Sequence, residues 1–462
     1  MSESSFERLN LRPELTQNLS TLKYTQMTEI QAASLPEIIA GKDVIAQGKT
    51  GSGKTAAFGL GLLNKLNVKR FRIQVLVLCP TRELADQVAK ELRTLARMIH
   101  NIKVLTLCGG MPFGPQVGSL EHGAHIIVGT PGRIEDHLGR GTLNLSEVDT
   151  FVLDEADRML EMGFQQAIDN IVEQIPAQRQ TLLFSATFPK KIQQISQHVM
   201  KEPVVVKVES QHSNSSIEQH FFQVSDDAER FKALHMLLLT HKPVSSVVFC
   251  NTKISVQKVA QKLANNGFGV VALHGDLEQR ERDQAVVQFA NKSASVMVAT
   301  DVAARGLDIA ELDAVFNYDI AHDSEVHVHR IGRTGRAGSS GIAISLFSEQ
   351  ERYKVGLIED YLDESIKSQP LPDQSILTSK VFEPPMTTIQ IDGGKKQKLR
   401  PGDILGALTA DKGIDGKFVG KIQMGANWAY VAVARSQFRK AFNILKNGKM
   451  KGRQFRVRTL AD

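Results

Sequence analysis

The sequence has few cysteines and no long apolar segment. Its three cysteines, Cys79, Cys108 and Cys250, stand far apart without CxxC spacing, which argues against both a zinc site and a disulfide framework. No run of about 18 apolar residues, the length that spans a membrane, occurs in the chain, and its first residues lack the basic and apolar regions of a signal peptide. The sequence therefore predicts a soluble, cytoplasmic protein with no membrane partner and no zinc.

Basic charge is concentrated in one terminal segment. The whole chain has a net charge of +6. Residues 384–462 contain 16 lysines and arginines against 5 aspartates and glutamates, whereas the remainder contains 40 against 45. Such an asymmetry favours a polyanion as partner of the terminal segment, although a basic surface that is merely solvated would give the same count.

The hydrophobic pattern predicts two α/β domains. With 462 residues, 42% of them hydrophobic, the chain is long enough for two to four domains of about 100–200 residues. Short apolar runs alternate with helix-like stretches, a pattern typical of parallel sheets buried on both faces. The runs cover residues 75–78, 125–128, 150–153, 246–249, 296–299 and 314–317. The polar stretch 209–216 interrupts this rhythm, so we predict domains at 1–208 and 217–370 with 209–216 as their linker.

A third, smaller domain is predicted at 384–462. Several prolines near residues 368–385 discourage helix and central strand, and we assign 371–383 as a second linker. The pattern beyond it predicts strands at 387–391, 419–423, 428–433 and 454–458 and helices at 400–408 and 437–445. This βαββαβ order is that of an RNA-recognition-motif fold of the α+β class.

A phosphate-binding loop is the most specific motif of the first domain. Residues 48–55, GKTGSGKT, follow the apolar run 43–46 and precede a helix-like segment, which is the context such a loop requires. Its glycines let backbone N–H groups turn toward phosphates. We assign nucleotide contacts to Thr50, Gly51, Ser52, Gly53, Lys54 and Thr55, with Lys54 at the β- and γ-phosphates and Thr55 as a Mg²⁺ ligand. A glycine-rich turn that binds no nucleotide is the alternative.

Two adjacent carboxylates are candidates for the hydrolytic chemistry. Asp154 and Glu155 come directly after an apolar strand, at the end of the strand where ligands bind in open α/β sheets. Asp154 would hold Mg²⁺ through water, and Glu155 would activate the attacking water. Alternatively, both acids would simply cap the next helix.

With these motifs the chain resembles the DEAD-box ATP-dependent RNA helicases, whose segments occur in order across nearly all of the first 350 residues. The resemblance implies two tandem RecA-like parallel-sheet domains that use ATP and Mg²⁺. Tyr24 and Gln31 match the motif that recognises adenine, the ring by stacking and the amide by reading the base edge. Met27 and Glu29 stand where the family usually has prolines, which puts the rigidity of that loop in question.

The same resemblance implies two sets of RNA contacts, to phosphates and sugars. The first-domain set is Pro80, Thr81, Arg82, Gly110, Thr130, Pro131, Gly132 and Arg133. The second-domain set is Thr252, His274, Gly275 and Thr300. Residues 185–187, Ser-Ala-Thr, match the segment that ties the nucleotide state to RNA release.

The second domain contributes basic residues to the ATP chemistry. By the resemblance, Arg333 and Arg336 are fingers that reach the γ-phosphate, and Asp308 lies near the ribose. The second domain has no GKT segment of its own, so one ATP per chain would be held between domains that close around it. Taken alone, the octapeptide 329–336 would be better explained as a nonspecific anion patch.

The C-terminal domain is expected to select the RNA target. Trp428 and Tyr430 are two apart on a predicted strand and share a face, where they would either stack on bases or complete a core. The basic residues Lys446, Lys449, Lys451 and Arg453 are the stronger RNA-binding candidates.

This domain order resembles the bacterial DbpA subfamily, which implies large-subunit (23S) ribosomal RNA and precursors of the large subunit as partners, and a role in large-subunit assembly. A DEAD-box helicase of cold-shock or RNA-decay type, an ATP-independent RNA-binding or annealing protein, and a DNA helicase are the alternatives.

Overall fold

The first 208 residues are built around one fully parallel sheet. The computed structural model describes residues 5–48, 51–188, 190–208, 217–304, 312–335, 341–410 and 413–460, in two compact units, Met1–Gln211 and His212–Asp462. The strands of the first unit are β1 (Val44–Gln47), β2 (Val75–Leu78), β3 (Val104–Leu107), β4 (Ile126–Gly129), β5 (Thr150–Asp154), β6 (Gln180–Ser185) and β7 (Val204–Lys207). They pair in the order β3-β4-β2-β5-β6-β1-β7.

Helices cover both faces of this sheet. They are α1 (Pro13–Thr21), α2 (Glu29–Ile39), α3 (Lys54–Lys65), α4 (Arg82–Leu95), α5 (Phe113–Glu121), α6 (Pro131–Gly139), α7 (Ala156–Glu161), α8 (Gln165–Val172) and α9 (Lys190–Val199). Successive strand residues alternate between two separate apolar clusters, so that Leu76 belongs to one and Val77 to the other. This two-sided burial is why the strands are continuously apolar.

A second parallel sheet begins the second unit. Its strands are β8 (Ile217–Val224), β9 (Ser246–Phe249), β10 (Val270–Leu273), β11 (Val296–Ala299), β12 (Ala314–Asn317) and β13 (Gly341–Ser348), in the order β10-β11-β9-β12-β13-β8. Its helices are α10 (Asp227–His241), α11 (Lys253–Asn265), α12 (Gln279–Ala290), α13 (Asp301–Ala304), α14 (Ser324–Ile331) and α15 (Arg352–Leu362). Within the predicted second linker, Leu371, Ile376 and Val381 pack against the core of this sheet.

The C-terminal domain has the predicted βαββαβ order. It consists of β14 (Met386–Ile391), α16 (Pro401–Thr409), β15 (Val419–Met424), β16 (Ala429–Ala434), α17 (Phe438–Asn447) and β17 (Val457–Thr459). The antiparallel strands pair in the order β15-β16-β14-β17. The two parallel sheets and this small antiparallel sheet confirm the predicted fold class.

The last strand differs from the prediction of 454–458. A tight turn at Lys451 and Gly452, both with positive φ, is closed by a bridge between Met450 and Arg453. Phe455 then covers Gly393 instead of entering the ladder, since a Cβ at that glycine would meet the Phe455 ring at 2.4 Å. Pairing with β14 therefore begins only at Val457.

Candidate functional site: an ATP-binding edge and two RNA-facing edges

The lysine of the phosphate loop is hydrogen-bonded to the first residue of the loop. Gly51 and Gly53 have φ of 83° and 90°, a conformation that glycine adopts without steric cost. Lys54 is the first residue of α3, and its buried Nζ donates to the Gly48 carbonyl at 2.9 Å. The loop is thus shaped to present N–H groups and an ammonium to an anion at a helix N-terminus. Thr55 follows on the first turn of α3, whereas Thr50 lies outside the described residues.

Gln31 is hydrogen-bonded to the phosphate loop and stabilises it. Its amide oxygen accepts from the Thr28 N–H at 3.0 Å, and its amide nitrogen donates to the Gly53 carbonyl at 3.1 Å. Thr28 adds a bond from its hydroxyl to the Ser52 carbonyl at 2.7 Å. Gln31 is therefore part of the loop's scaffold, and its contact with adenine stays a prediction. Tyr24 precedes this segment and is 41% exposed, and its stacking on adenine stays a prediction.

Asp154 and Glu155 occupy the carboxyl end of β5. Asp154 is 2% exposed. Burial, and after it the charge of Glu155, raises its pKa to about 7, against the opposing effect of Lys54. Glu155 has a left-handed φ of 55° and pairs with the Arg158 guanidinium at 2.6 Å. The site therefore holds a buried carboxylate whose negative charge is only partly compensated, and a divalent cation would complete that compensation.

Asp157 is a functional candidate that sequence reasoning missed. Its Oδ2 accepts from the N–H groups of Ala186 and Thr187 at 3.1 and 2.9 Å and from the Thr187 hydroxyl at 3.0 Å. Burial alone would raise the pKa of Asp157, but the Thr187 N–H bond and the charges of Lys54 and Arg158 lower it. The carboxylate thereby joins the end of β5 to the Ser-Ala-Thr segment after β6. The available signal in the sequence was the position of Asp157, which is the last of three acids that follow an apolar strand.

The predicted RNA contacts of the first unit meet on the other half of the same sheet edge. They follow β2, β3 and β4, which are neighbours in the sheet. Thr81 caps α4 by accepting from the Leu84 N–H. Arg133 donates to the Met111 carbonyl at 3.0 Å, and Thr130 accepts from the Gly109 N–H. The segments after β3 and β4 are thus held together. The remaining predicted contacts of this edge are Pro80, Arg82, Gly110, Pro131 and Gly132.

The second unit brings its predicted RNA contacts to one edge as well. Thr252, His274 and Thr300 follow β9, β10 and β11, which are adjacent. Thr252 caps α11 by accepting from the Ser255 N–H at 3.1 Å, and the Thr300 N–H donates to the Leu273 carbonyl. Gly275 has nothing within 4 Å of an ideal Cβ position, so the backbone there is open to a ligand.

Arg330 is the second residue that sequence reasoning missed. It is 2% exposed and donates to both carboxylate oxygens of Asp301 at 2.7 Å. It also donates to the Asn251 amide oxygen at 2.8 Å and to the Asp319 carbonyl at 2.6 Å. One guanidinium therefore ties together the segments after β9, β11 and β12. Arg333 is buried, whereas Arg336 and Asp308 lie outside the described residues.

Comparison with known proteins identifies the family. Residues 28–195 match the family DEAD/DEAH box helicase, residues 229–338 the helicase conserved C-terminal domain, and residues 388–459 the DbpA RNA binding domain. The ATP-dependent RNA helicase DbpA of Escherichia coli K12 is 54% identical over 99% of this chain and 100% of that protein. The chain belongs to the DEAD-box ATP-dependent RNA helicases, in the DbpA subfamily.

Other similar proteins share the helicase part. A DEAD-box ATP-dependent RNA helicase CshA of Geobacillus kaustophilus is 44% identical over 75% of this chain and 74% of its own length. Saccharomyces cerevisiae Dbp5 bound to RNA and ADP BeF3 has a TM-score of 0.72 at 31% identity, over 81% of this chain and 98% of that chain. The two parallel-sheet domains of this helicase are accordingly RecA-like. No helix in the described ranges is long and apolar enough to cross a membrane, and the three cysteines are buried and unpaired.

The central strand β14 of this helicase's C-terminal domain is covered on both faces of the sheet. One face forms the domain's own core, with Ile389 and Val431. On the other, Gln390 accepts from the Gln284 amide at 3.2 Å, and Thr388 accepts from the Asn291 amide at 3.1 Å. Both partners belong to α12 or to the residue directly after it, in the second RecA-like domain. At this central strand, the face that binds bases in many RNA-recognition motifs is an intramolecular interface.

Tyr430 is therefore not an exposed stacking platform. It is 2% exposed, burial raises its pKa, and its side chain shares a hydrogen bond with Gln284. The Trp428 ring lies 4.6 Å from the Tyr430 ring and packs against Gly425. Of the two roles considered for this pair, packing is the one that Tyr430 fulfils.

The four basic residues predicted to contact RNA lie at the end of α17 and in the turn that follows it. Lys446, Lys449, Lys451 and Arg453 are all exposed. Lys451 donates to the Lys398 carbonyl at 2.9 Å, which brings this turn next to a second basic segment. The exposed members of that segment are Lys395, Lys396 and Lys398. We call these seven side chains the basic cluster.

Proposed function

We propose that this helicase uses ATP and Mg²⁺ to open local duplexes in large-subunit (23S) ribosomal RNA and that it acts in assembly of the large ribosomal subunit. The observation that carries the proposal is the basic cluster, which is exposed on a domain that matches the DbpA RNA binding domain, whereas Thr388, Gln390 and Tyr430 at the centre of the sheet are buried. Precursors of the large subunit would then be the partners.

ATP would bind at the phosphate loop of the first RecA-like domain. Lys54 would leave the Gly48 carbonyl to contact the β- and γ-phosphates, and Tyr24 would stack on adenine. The partly compensated carboxylate of Asp154, together with the Thr55 hydroxyl, fits a Mg²⁺ ion, which when bound would neutralise phosphate charge. Glu155 would accept the proton of the attacking water.

Hydrolysis would depend on closure of the two RecA-like domains around the nucleotide. Arg333 and Arg336 would stabilise the charge of the transferred phosphoryl group, and Asp308 would contact the ribose. Arginines of this kind are typically worth about 10³–10⁵ in rate. In this account Asp157 and Arg330 are positioning residues, because each holds together segments that carry the contacts.

The two RNA-facing edges would hold one strand through its phosphates and sugars. Threonine hydroxyls, helix N-termini and bare glycine backbone, as at Thr81, Thr252 and Gly275, are groups that bind phosphate without reading sequence. The core would therefore respond to almost any RNA, and contacts to the 2′-hydroxyl would favour RNA over DNA. Target choice would come from the C-terminal domain.

The basic cluster would supply that target choice. Its side chains reach solvent, whereas Tyr430 and Gln390 on the covered sheet face do not. Each phosphate contact that the cluster makes would contribute about 0.7–0.9 to the salt slope of RNA binding. A cold-shock or RNA-decay role with a different RNA target is the rival proposal.

A charge-reversal variant tests this proposal. We expect Lys449→Glu combined with Lys451→Glu and Arg453→Glu to remove the preference of the full chain for a 23S ribosomal RNA fragment over arbitrary RNA of equal length and structure. Lys417→Glu combined with Arg439→Glu and Lys440→Glu is the matched control, because these three are exposed basic residues of the same domain outside the cluster. Competition binding at two salt concentrations measures the effect. A cluster variant that keeps both the preference and the salt slope would contradict the proposal.

A further inference from the structure

Helix α15 of the second RecA-like domain presents an apolar stripe to solvent. Tyr353, Leu357 and Tyr361 are 65%, 50% and 50% exposed, and they follow one another at intervals of four residues, which places them on one face of the helix. They are three of the ten large hydrophobic side chains that are exposed in the described ranges. Scattered exposed apolar residues need no explanation, whereas a contiguous patch marks an interaction site. We call these three side chains the α15 stripe.

Other contacts hold α15 in place. The opposite face of the helix buries Val355 and Ile358 in a cluster with Phe347. The hydroxyl of Ser324, the first residue of α14, donates to the Leu357 carbonyl at 2.9 Å. The helix is thus fixed through its buried face and its backbone, and the exposed part of the α15 stripe is accessible to a partner.

The C-terminal end of the stripe is surrounded by carboxylates. Asp360 and Asp363 are exposed in the last turn of α15 and directly after it, and Asp323 and Glu325 are exposed at the start of α14. Burial, and after it the charges of Glu325 and Asp323, raises the pKa of Tyr361. Acidic groups from two helices therefore act on the same tyrosine.

Basic residues do not balance this charge in either segment. Residues 357–364 contain four acids and residues 322–326 contain two, and neither segment contains a lysine or an arginine. Arg352 and Lys354 belong to the first turn of α15, at the other end of the stripe, and the Arg352 guanidinium lies over the Phe347 ring at 5.7 Å. The end at Tyr361 therefore has a negative field, which repels RNA and favours a basic partner.

We propose that the α15 stripe is a docking surface for a basic, amphipathic protein segment of the large-subunit precursors. The inference rests on the proposed function, which supplies those precursors as partners. Apolar side chains of the segment would cover the stripe, as amphipathic helices do when they bind through anchors at helical spacing. Lysines or arginines of the segment would face Asp360 and Asp363.

Such a surface would give the helicase two separate contacts with one particle. The basic cluster would bind RNA, and the α15 stripe would bind protein. Two linked contacts reinforce each other, because the second forms at the high local concentration that the first creates. A precursor particle would then be bound more tightly than its RNA alone.

A comparison of precursor particles with their own RNA tests this proposal on the full-length chain. The probes are purified large-subunit precursor particles and the protein-free RNA extracted from them. We expect Leu357→Ser combined with Tyr361→Ser to raise the Kd for the particles by about tenfold, the effect of losing one anchor of a protein interface. The Kd for the extracted RNA should stay unchanged. Val205→Ser combined with Leu405→Ser is the matched control, because both residues are exposed and lie outside α15, on β7 and α16.

Asp360→Asn combined with Asp363→Asn tests the charge of the surface. Both changes keep the size of the side chain and remove its charge, so the Kd for the particles should rise by about threefold at low salt. The difference should shrink at high salt, where exposed charges are screened. Glu121→Gln combined with Glu173→Gln changes the net charge equally at exposed positions of the other RecA-like domain, and it should have no effect.

A photoreactive amino acid in place of Tyr353 identifies the occupant of the surface. After irradiation with the particles, we expect an adduct that resists ribonuclease and whose crosslinked peptide carries a net positive charge. An adduct with RNA, or with a neutral or acidic peptide, would overturn the proposal.

The remaining outcomes separate the docking surface from the proposed function. If the unmodified chain prefers the precursor RNA to arbitrary RNA but the double serine variant binds the particles normally, the docking surface alone is overturned. If that variant loses RNA-stimulated ATP hydrolysis with protein-free RNA, the stripe acts within the chain, and the docking surface is likewise overturned. Self-association of the chain that the variant abolishes would make a second copy the occupant, with the same consequence. If the unmodified chain binds precursor particles and their RNA no better than arbitrary RNA, the proposed function is overturned and the docking surface with it.

Discussion

The first RecA-like domain and the C-terminal domain place their candidate binding groups on different parts of a sheet. In the RecA-like domain these groups stand at the carboxyl edge of a parallel sheet, where six strand ends bring short motifs together. In the C-terminal domain the central strand of the sheet is covered on both faces, and the exposed basic cluster lies outside the sheet. The difference suggests a division of labour in which the core performs the chemistry and the cluster selects the RNA.

The largest expected effect concerns the core alone. Arg336→Ala should reduce RNA-stimulated ATP hydrolysis by about 10³–10⁵, because the finger stabilises charge only in the transition state. Nucleotide affinity in the absence of RNA should be retained. Steady-state hydrolysis and equilibrium binding of a fluorescent nucleotide measure the two quantities. An equal loss of affinity and rate would show that Arg336 already binds ATP before the domains close.

Glu155→Gln should have the next largest effect. The amide keeps the shape of the side chain but cannot accept a proton, so turnover should fall by about 10²–10⁴. ATP binding should persist, whereas Lys54→Ala should weaken the binding itself. Near-normal steady-state hydrolysis in the glutamine variant would mean that Glu155 is not the catalytic base.

Asp154 gives a pH-dependent prediction for the nucleotide-free protein. Its folded pKa of about 7 lies above the ordinary value of 3.8, so between these pH values the folded state binds more protons than the unfolded state. Stability contributed by this group therefore falls as pH rises through that window. Asp154→Asn should raise the melting temperature at pH 8 and leave it nearly unchanged at pH 4.

Thermal unfolding in magnesium-free buffer with a chelator checks this expectation. Asp157→Asn serves as the opposite case, because the pKa of Asp157 is lowered in the folded state and its charge is stabilising at pH 8. A stabilising effect of both substitutions, or of neither, would contradict the electrostatic account of this sheet edge.

Sequence could predict the features that depend on neighbouring residues. The phosphate loop and the acids after β5 are contiguous motifs between a strand and a helix, and the order of strands and helices follows from local hydrophobic pattern. The Arg330 contacts could not be predicted in this way, because they join segments from 251 to 319 that only the fold brings together. The hydrogen bond from Gln31 to the Gly53 carbonyl likewise could not be predicted, because it depends on the backbone path of the phosphate loop.

The covered sheet face of the C-terminal domain is the clearest case of this limit. Trp428 and Tyr430 have the spacing of a base-stacking pair, and nothing in their own segment reveals that α12, more than 130 residues earlier, contacts Tyr430. The start of the last strand could not be predicted from local sequence pattern either, because the Phe455 contact with Gly393 depends on tertiary packing.

The smallest expected effect tests the role of this covered face. Tyr430→Phe removes a hydroxyl that hydrogen-bonds within the protein, so it should lower the free energy of unfolding by about 1 kcal/mol. RNA affinity should stay unchanged, since the ring faces α12. Chemical denaturation and RNA binding measure the two effects. A large loss of RNA affinity without loss of stability would show that Tyr430 contacts RNA after all.

The most direct test of the division of labour is a comparison of the full chain with residues 1–383. ATP hydrolysis is measured with a 23S ribosomal RNA fragment and with arbitrary RNA of matched length, over a range of RNA concentrations. We predict that the full chain requires much less of the ribosomal fragment, whereas the shortened chain responds equally to both RNAs and only at higher concentration. If the shortened chain still prefers the ribosomal fragment as strongly as the full chain does, the RecA-like domains select the target. That result would contradict the proposed division of labour.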